Sequence, residues 1–389
     1  MNFDIKNSTE VLATWDRCDV FSILPFLPDP DLVLRKIGGG IDKYNENLND
    51  PTVSGCLDRR KAGTISKKWS VDIDNSDTGI HLAVIRFMKK LPIKKIIGQA
   101  LDAVYYGFQP LEVMWSFIDG VYIPSAIIGK PSKWFIFGKN NELLLRTKKN
   151  PNGEPVPEKK FLLAQHQPTF ANPYGKKIAA NIYWYCLFKK NGLKWWVTFL
   201  EKFGTPYIIG KTPRGSTDEQ KKDLVGMLSK MIRDAVAVIP DDSSVEFLQA
   251  TQNTSKSSGG QIANTQHEAL VQFCDDAICK AILGHSGAAH STPGKLGGMN
   301  IAMQATQDLI DADSSMVCDL FNQLIDWFVE LNSNAVRSGI RRPAFSLRSK
   351  DDVNLSVALR DKKLAETGQI KFTKKYLMKT YNLMEDDFV

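Results

Sequence analysis

The chain has 389 residues, enough for two or three domains or one elaborated fold, and 43% hydrophobic with 24% charged residues is ordinary globular usage that excludes a disordered or fibrous chain. No basic segment followed by an apolar run opens the sequence and no stretch approaches ~18 consecutive apolar residues, so neither a signal peptide nor a spanning helix is indicated. A soluble protein made in the cytoplasm, without membrane contact, is expected, and 50 basic against 43 acidic residues permit contact with nucleic acid without the dense basic stripe of a tight grip.

The first 28 residues, with Pro25 and Pro28 in an apolar context, read as an arm that packs on something such as a neighbouring subunit. Asp29 is expected to cap a helix with Pro30 at its first position, failing at Gly38, Gly39 and Gly40. A second helix runs from Ile41 and ends before Asp50 and Pro51. From Val53 apolar residues at helical spacing give way to the alternation Ile65, Trp69, Val71, Ile73, a helix passing into a strand. Ile80 to Tyr106 is helical with a break at Pro92. Leu111–Trp115, Val121–Ile128, Trp134–Phe137 and Leu143–Arg146 are short strands divided by glycine-containing turns, so this part is an α+β unit, and Asn150 to Pro157 is an exposed turn or loop.

After Asn172-Pro173-Tyr174-Gly175 a helix runs to about Phe203, with a kink or break expected at Asn191-Gly192. Tyr183, Trp184, Tyr185, Phe188, Trp195, Trp196 and Phe199 spread over several of its faces, more than the surface helix of a monomer needs. Ser216 and Glu219 form a capping box for the next helix, followed by a strand ending at Ile239, an Asp241-Asp242 turn and a strand Val245–Leu248. Thr251 to Gly260 is polar and glycine-containing, a flexible tip. A helix from Ile262 to Leu283 and a glycine-rich loop, Gly284 to Gly298, precede a helix from Met299 to Leu331 that would be roughly 50 Å long. Its apolar positions include Ile310, Val317, Leu324 and Leu331, with Leu320 and Trp327 between, while Asp308, Asp311, Asp319, Asp326 and Glu330 take other faces. Ala344–Leu347 is a strand, and Val353 onward is largely helical.

Catalytic motifs are weak. Cys18, Cys56, Cys186, Cys274, Cys279 and Cys318 include no CxxC pair and read as reduced, mostly buried small apolar residues rather than zinc ligands. His285 and His290 share one loop with acids not far away, which raises a metal-dependent hydrolase, but a loop of Gly, Ala, Ser and Thr offers neither rigid positioning nor supporting hydrogen bonds. Gly284-His285-Ser286-Gly287 has the wrong spacing for a GxSxG nucleophile elbow, and the chain contains no GxxxxGK[ST] phosphate loop. Acids along the last long helix read as a solvated face. The fifteen residues from Gly284 to Gly298 exceed the ~2–8 of a helix connector, which favours a mobile functional loop.

Four segments, in order, resemble the Mu-like branch of phage portal proteins. They are DPTVSGCLDRRKAGTISKKWSV from Asp50, DAVYYGFQPLEVMW from Asp102 to Trp115, the stretch from Asn172 to Lys211 with its Glu-Lys-Phe-Gly-x-Pro, and Ile282 to Asn332 with Asp311-Ala312-Asp313. The resemblance covers about residues 30 to 333. It implies an α+β portal fold: an α/β wing over 29–175, a two-helix stem of 176–203 and 265–283, and a small β-containing clip over 204–264. A tunnel loop at 284–298, a long wing helix at 299–333 and a C-terminal wing or reduced crown at 334–389 complete it, after the arm of residues 1–28; the family's longer members extend further at this end. It also implies a non-enzymatic homo-oligomeric ring, a dodecamer in the family, that passes double-stranded DNA and needs no cofactor or metal. Partners would be a terminase motor, the major capsid or scaffold protein and a head-completion or tail adaptor; the location would be the virion, with assembly in the host cytoplasm. His285, Ser286, His290, Ser291 and Lys295 would line the channel, and Tyr185, Phe188, Trp195, Trp196 and Phe199 would face neighbouring subunits. Another phage head or connector protein is the alternative, with a metal-dependent hydrolase behind it.

Overall fold

Helices carry the long spans of this chain and antiparallel sheets the short ones, an α+β fold. The computed structural model describes residues 26–72, 78–203, 207–211, 215, 217–234, 244–248, 262–286, 296–332, 342–348, 355–368 and 371–381. They belong to two compact units, Met1–Tyr183 with Cys279–Val389, and Trp184–Ile278.

The first unit begins with β1 (Phe26–Leu27) and α1 (Leu32–Ile37). Asp31, not Asp29, is the N-cap: its Oδ1 accepts from the amides of Val33 at 3.0 Å and Leu34 at 3.3 Å. Asp29 lies one step too early to reach them and accepts instead from the Asp31 amide and from Lys177. Gly38 ends α1 in the left-handed region at φ 62°. Ile41–Asn49 winds as a 3-10 helix, and Asp50 then caps α2 (Pro51–Ile65), with Pro51 at the first position where its missing N–H costs nothing. Ile65 closes that helix, so the strand alternation starts only at β2 (Lys68–Asp72); Ile73 lies outside the described residues. The segment up to Tyr106 divides into α3 (Thr78–Lys90), α4 (Ile93–Ala100) and α5 (Asp102–Tyr106), with Pro92 as the break.

Gly107 follows at φ 90°, where a Cβ would stand 2.3 Å from the Tyr174 carbonyl oxygen. Gly107→Ala is therefore expected to cost about 1–3 kcal/mol in backbone strain alone, read as a lower urea midpoint at unchanged m-value; an unchanged midpoint would contradict the close approach.

β3 (Phe108–Ile118), β4 (Val121–Gly129), β5 (Phe135–Gly138), β6 (Leu143–Leu145), β7 (Glu154–Pro155) and β8 (Phe161–Gln165) form two antiparallel sheets, ordered β4-β3-β8 and β1-β5-β6-β7. The β3–β4 turn places Asp119 and Gly120 at φ 51° and 81°, the geometry that matches strand twist in a two-residue hairpin. β3 starts three residues before its alternating pattern does, because Phe108–Glu112 pairs with β8 and Phe108–Leu111 is buried on both faces. Part of the loop read at 150–157 is the short β7, paired with β6. Phe108, Phe135, Phe137 and Tyr174 form an aromatic core with edge-on contacts of 4.9–5.7 Å among Phe108, Phe137 and Tyr174.

α6 (Ile178–Phe203) runs without interruption through Asn191-Gly192. Gly192 is small for a packing reason: a Cβ there would lie 3.1 Å from Leu270 Cδ2. In the second unit β9 (Tyr207–Lys211) pairs with β10 (Ser244–Leu248), and α7 (Asp218–Asp234) lies between them in sequence. The capping box belongs to Thr217 and Gln220, one residue later than expected, since the helix opens at Asp218 and Gln220 Oε1 accepts from the Thr217 amide. The strand read as ending at Ile239 lies outside the described residues.

α8 (Ile262–Leu283) leads back to the first unit, where α9 (Leu296–Asn332) spans about 55 Å. Val317, Leu320, Phe321, Leu324, Ile325 and Phe328 form its buried stripe. Two asparagines on α9 grip strand backbones: Asn322 takes the amide of Phe345 in β11 (Ala344–Arg348), and Asn332 bonds both the amide and the carbonyl of Tyr122. β11 pairs with β2, and α10 (Leu355–Glu366) and α11 (Lys374–Tyr381) are joined by Tyr376 donating to Asp361. Among the described residues no helix is long and apolar enough to cross a membrane.

Candidate functional site

The root of the glycine-rich loop is built in the first unit from α2, α8 and α9. α8 ends at Leu283, and Gly284, at φ 79°, donates its N–H to the Lys280 carbonyl at 3.1 Å. Carbonyls of the last helical turn, on the buried residues Ile282 and Leu283, find side-chain donors. Arg60 Nη1 donates to Ile282 O at 2.9 Å, while Nε and Nη2 form a two-pronged pair with Asp313 at 2.7 and 2.9 Å. Both side chains of this pair are nearly inaccessible, 4% and 3% exposed. Thr306 donates its hydroxyl to Leu283 O at 3.2 Å, and His285 Nε2 lies 2.8 Å from the Thr306 hydroxyl oxygen. With the hydroxyl proton committed to the carbonyl, the imidazole donates from Nε2. Burial, and then the Arg59 cation, pull the His285 pKa below its ordinary value, so the ring is neutral at neutral pH.

Of the five loop residues singled out from the sequence, His285 and Ser286 therefore sit half-buried at the loop root, while His290, Ser291 and Lys295 lie outside the described residues. Among the described residues no three His, Cys, Asp or Glu side chains gather as a metal site would require. Cys56 and Cys279 are buried with their sulfurs 3.4 Å apart.

In the second unit α6 and α8 pack against each other. Lys189, buried, pairs with Asp275 at 2.6 Å, Tyr185 meets the ring of Phe273 at 6.2 Å, and Phe199 meets His267 at 5.6 Å. Tyr185, Lys189, Gly192, Trp196 and Phe199 thus lie on the side of α6 turned to α8, within about 80° of arc at 100° per residue. The remaining apolar residues fall on two other stripes. Trp184, Phe188 and Trp195 lie within about 40° of one another, and Leu193, Val197 and Leu200 within about 60°, the two stripes roughly 170° apart. Both are open: Trp195 is 62% exposed, Phe188 52% and Val197 55%.

Of the five aromatic positions proposed from sequence to meet a neighbour, Phe188 and Trp195 are exposed and Tyr185, Trp196 and Phe199 are half-buried. Sequence reasoning passed over Leu193, Val197 and Leu200, whose spacing of four and three residues is the signal that marks a second face. It gave no role to Thr306, and it met Arg60 and Asp313 only inside the segments that carry the family resemblance, without pairing them. Their signal is a polar residue inside an apolar stripe: Arg60 follows Val53, Cys56 and Leu57 at helical intervals, and Asp313 stands between Ile310 and Val317.

The family model for the portal protein of Mu bacteriophage matches residues 41–383. Mu-like prophage FluMu protein gp29 of Haemophilus influenzae is 24% identical over 272 residues, 66% of this chain and 49% of the relative. The portal protein of Escherichia phage Mu is 25% identical over 241 residues, 60% of this chain and 44% of the relative. The chain thus matches about half the length of these curated relatives. A protein in the neck of an empty GTA particle, solved with C6 symmetry, superposes with a TM-score of 0.57 at 12% identity over 88% of this chain and 95% of its own, a likeness of fold. With four sequence segments, an α+β fold and a family match over most of its length in agreement, the chain belongs to the portal protein family of Mu bacteriophage.

Proposed function

We propose that the chain is a non-enzymatic portal subunit, assembled into a closed ring at one vertex of a phage head, through which double-stranded DNA is packaged and ejected. The observation that carries this reading is the pair of exposed apolar stripes on opposite flanks of α6. A closed ring joins identical subunits head to tail, so each subunit needs two different surfaces, one for each neighbour. Trp184, Phe188 and Trp195 would supply one and Leu193, Val197 and Leu200 the other, leaving the α8-facing side for the subunit's own packing. Twelve copies are the number the family resemblance supplies.

In this reading residues 29–175 and 299–333 are wing, 176–203 and 265–283 the stem, 204–264 the clip and 334–389 a C-terminal wing or reduced crown. The tunnel loop read over residues 284–298 is cut short by the start of α9 at Leu296, and its root is held by Arg60, Asp313 and Thr306. The partners are a terminase motor, the capsid or scaffold protein and a tail adaptor, and the protein ends in the virion after assembly in the host cytoplasm. The mechanism is mechanical. A ring that lets a duplex slide requires few strong phosphate contacts, since each adds salt-dependent affinity.

Deleting Ser286 to Gly294 is expected to leave rings intact, because glycine, serine and alanine bury little apolar area, and to impair packaging or retention of DNA. Lys295→Glu is expected to weaken retention more at low salt, where phosphate repels the carboxylate with least screening. A packaging assay on rings first checked by electron microscopy reads both; full packaging and normal retention by the deletion variant would remove the loop from the mechanism.

A further inference from the structure

The helix-turn-helix of α3 and α4 carries a positive surface that the channel reading does not use. Between Thr78 and Leu101 the sequence holds Arg86, Lys89, Lys90, Lys94 and Lys95 and no aspartate or glutamate. All five side chains are exposed, and among the described residues none of them makes an ion pair. Other lysines of this unit are matched: Lys61 with Asp102, Lys67 with Asp311, Lys130 and Lys160 with Glu112. Phe87, Met88, Leu91, Ile93 and Ile96 are buried beneath, so the cations stand on the outer side of an anchored element.

Folding accounts for only part of this pattern. Lys89 and Lys90 occupy the last turn of α3, where a cation offsets the partial negative charge of the helix end. Lys94 and Lys95 do the reverse: they sit in the first turn of α4, beside the partial positive charge of its N-terminus, and Pro92 at the cap supplies no side-chain acceptor. Five like charges within ten residues repel one another, and an arrangement unfavourable in the free protein becomes favourable against an anion.

We infer that this surface binds the phosphate backbone of double-stranded DNA outside the channel, at residues distinct from the tunnel loop and from α6. The proposal takes from the portal reading only the identity of the polyanion. Four of the five are lysines, compact charges without the planar fork that reads a guanine edge, which fits backbone contact rather than base recognition. The exposed residues from Arg86 to Lys95 include no aromatic ring on which a single strand could stack. An acidic protein partner fits less well, because lysine is depleted from the core of protein–protein interfaces.

The test is duplex binding by the full chain, followed by fluorescence anisotropy with a labelled 30-base-pair oligonucleotide (about 30, a length chosen to exceed the patch) across a salt series. Two quadruple variants are compared with wild type, one changing Lys89, Lys90, Lys94 and Lys95 to glutamine and one changing them to glutamate. Removing four phosphate contacts is expected to flatten the slope of log K against log salt by roughly 3 to 4, with at least about a tenfold loss of affinity at low salt in the glutamine variant. Circular dichroism checks the fold, and the glutamine variant decides if the glutamate one unfolds. Duplex binding that falls while rings still form supports the proposal. An unchanged slope and affinity overturn it, and so does a loss of binding to polyglutamate with duplex binding intact, which would assign the surface to an acidic protein. A wild-type chain that binds duplex through these lysines but forms no rings would sink the ring reading alone.

Discussion

Asp313→Ala is expected to destabilise the first unit by about 3–5 kcal/mol, because it strands the Arg60 guanidinium in a site where that side chain is 4% exposed. The favourable part of the pair comes from its geometry: two short parallel bonds to the carboxylate, and a third prong to the Ile282 carbonyl. Without the carboxylate the charge must either recruit water into a closed core or leave it, and each route disturbs α2, α9 and the end of α8 together. The double variant Arg60→Met with Asp313→Leu should recover most of the loss, since apolar side chains of similar volume remove the charge as well as its partner. It should not recover all, because the Ile282 carbonyl then lacks its donor, a deficit of about 1–3 kcal/mol. Urea unfolding of wild type and the two variants measures this. A single variant within about 1 kcal/mol of wild type would mean that solvent already reaches the pair.

Trp195→Asp should block ring assembly while leaving the subunit folded. The side chain is 62% exposed in the isolated chain, so a carboxylate there stays solvated until a neighbour arrives. Burying it unpaired in an interface costs on the order of 3–5 kcal/mol, roughly two to three and a half decades in the association constant of each contact. In a closed ring every interface carries the penalty. Val197→Asp, on the opposite flank, should act in the same way, whereas Tyr185→Asp faces Phe273 and should disturb the α6–α8 pair itself. Sedimentation velocity with negative-stain imaging separates these outcomes; rings of normal size from Trp195→Asp would show that this flank is not an interface.

The sequence by itself determined the helices and one hairpin. The periodicity of α3 to α5, α6, α8 and α9 is written in residues three and four apart, and Asp119-Gly120 marks the β3–β4 turn, so these elements follow from neighbours along the chain. The ordered segments that resemble the portal family were legible for the same reason. Contacts between distant residues were decided only in three dimensions. β8 has five residues and no alternation, and β2 meets β11 from some 270 positions away, so neither pairing has a local signature. The Arg60–Asp313 pair joins residues 253 apart, and the helical pattern on each side shows only a charge out of place. The aromatic wealth of α6 was plain from sequence, but which rings face α8 and which stay exposed was not, because that division depends on which side of α6 the second helix packs against, the side on which Gly192 leaves room for Leu270.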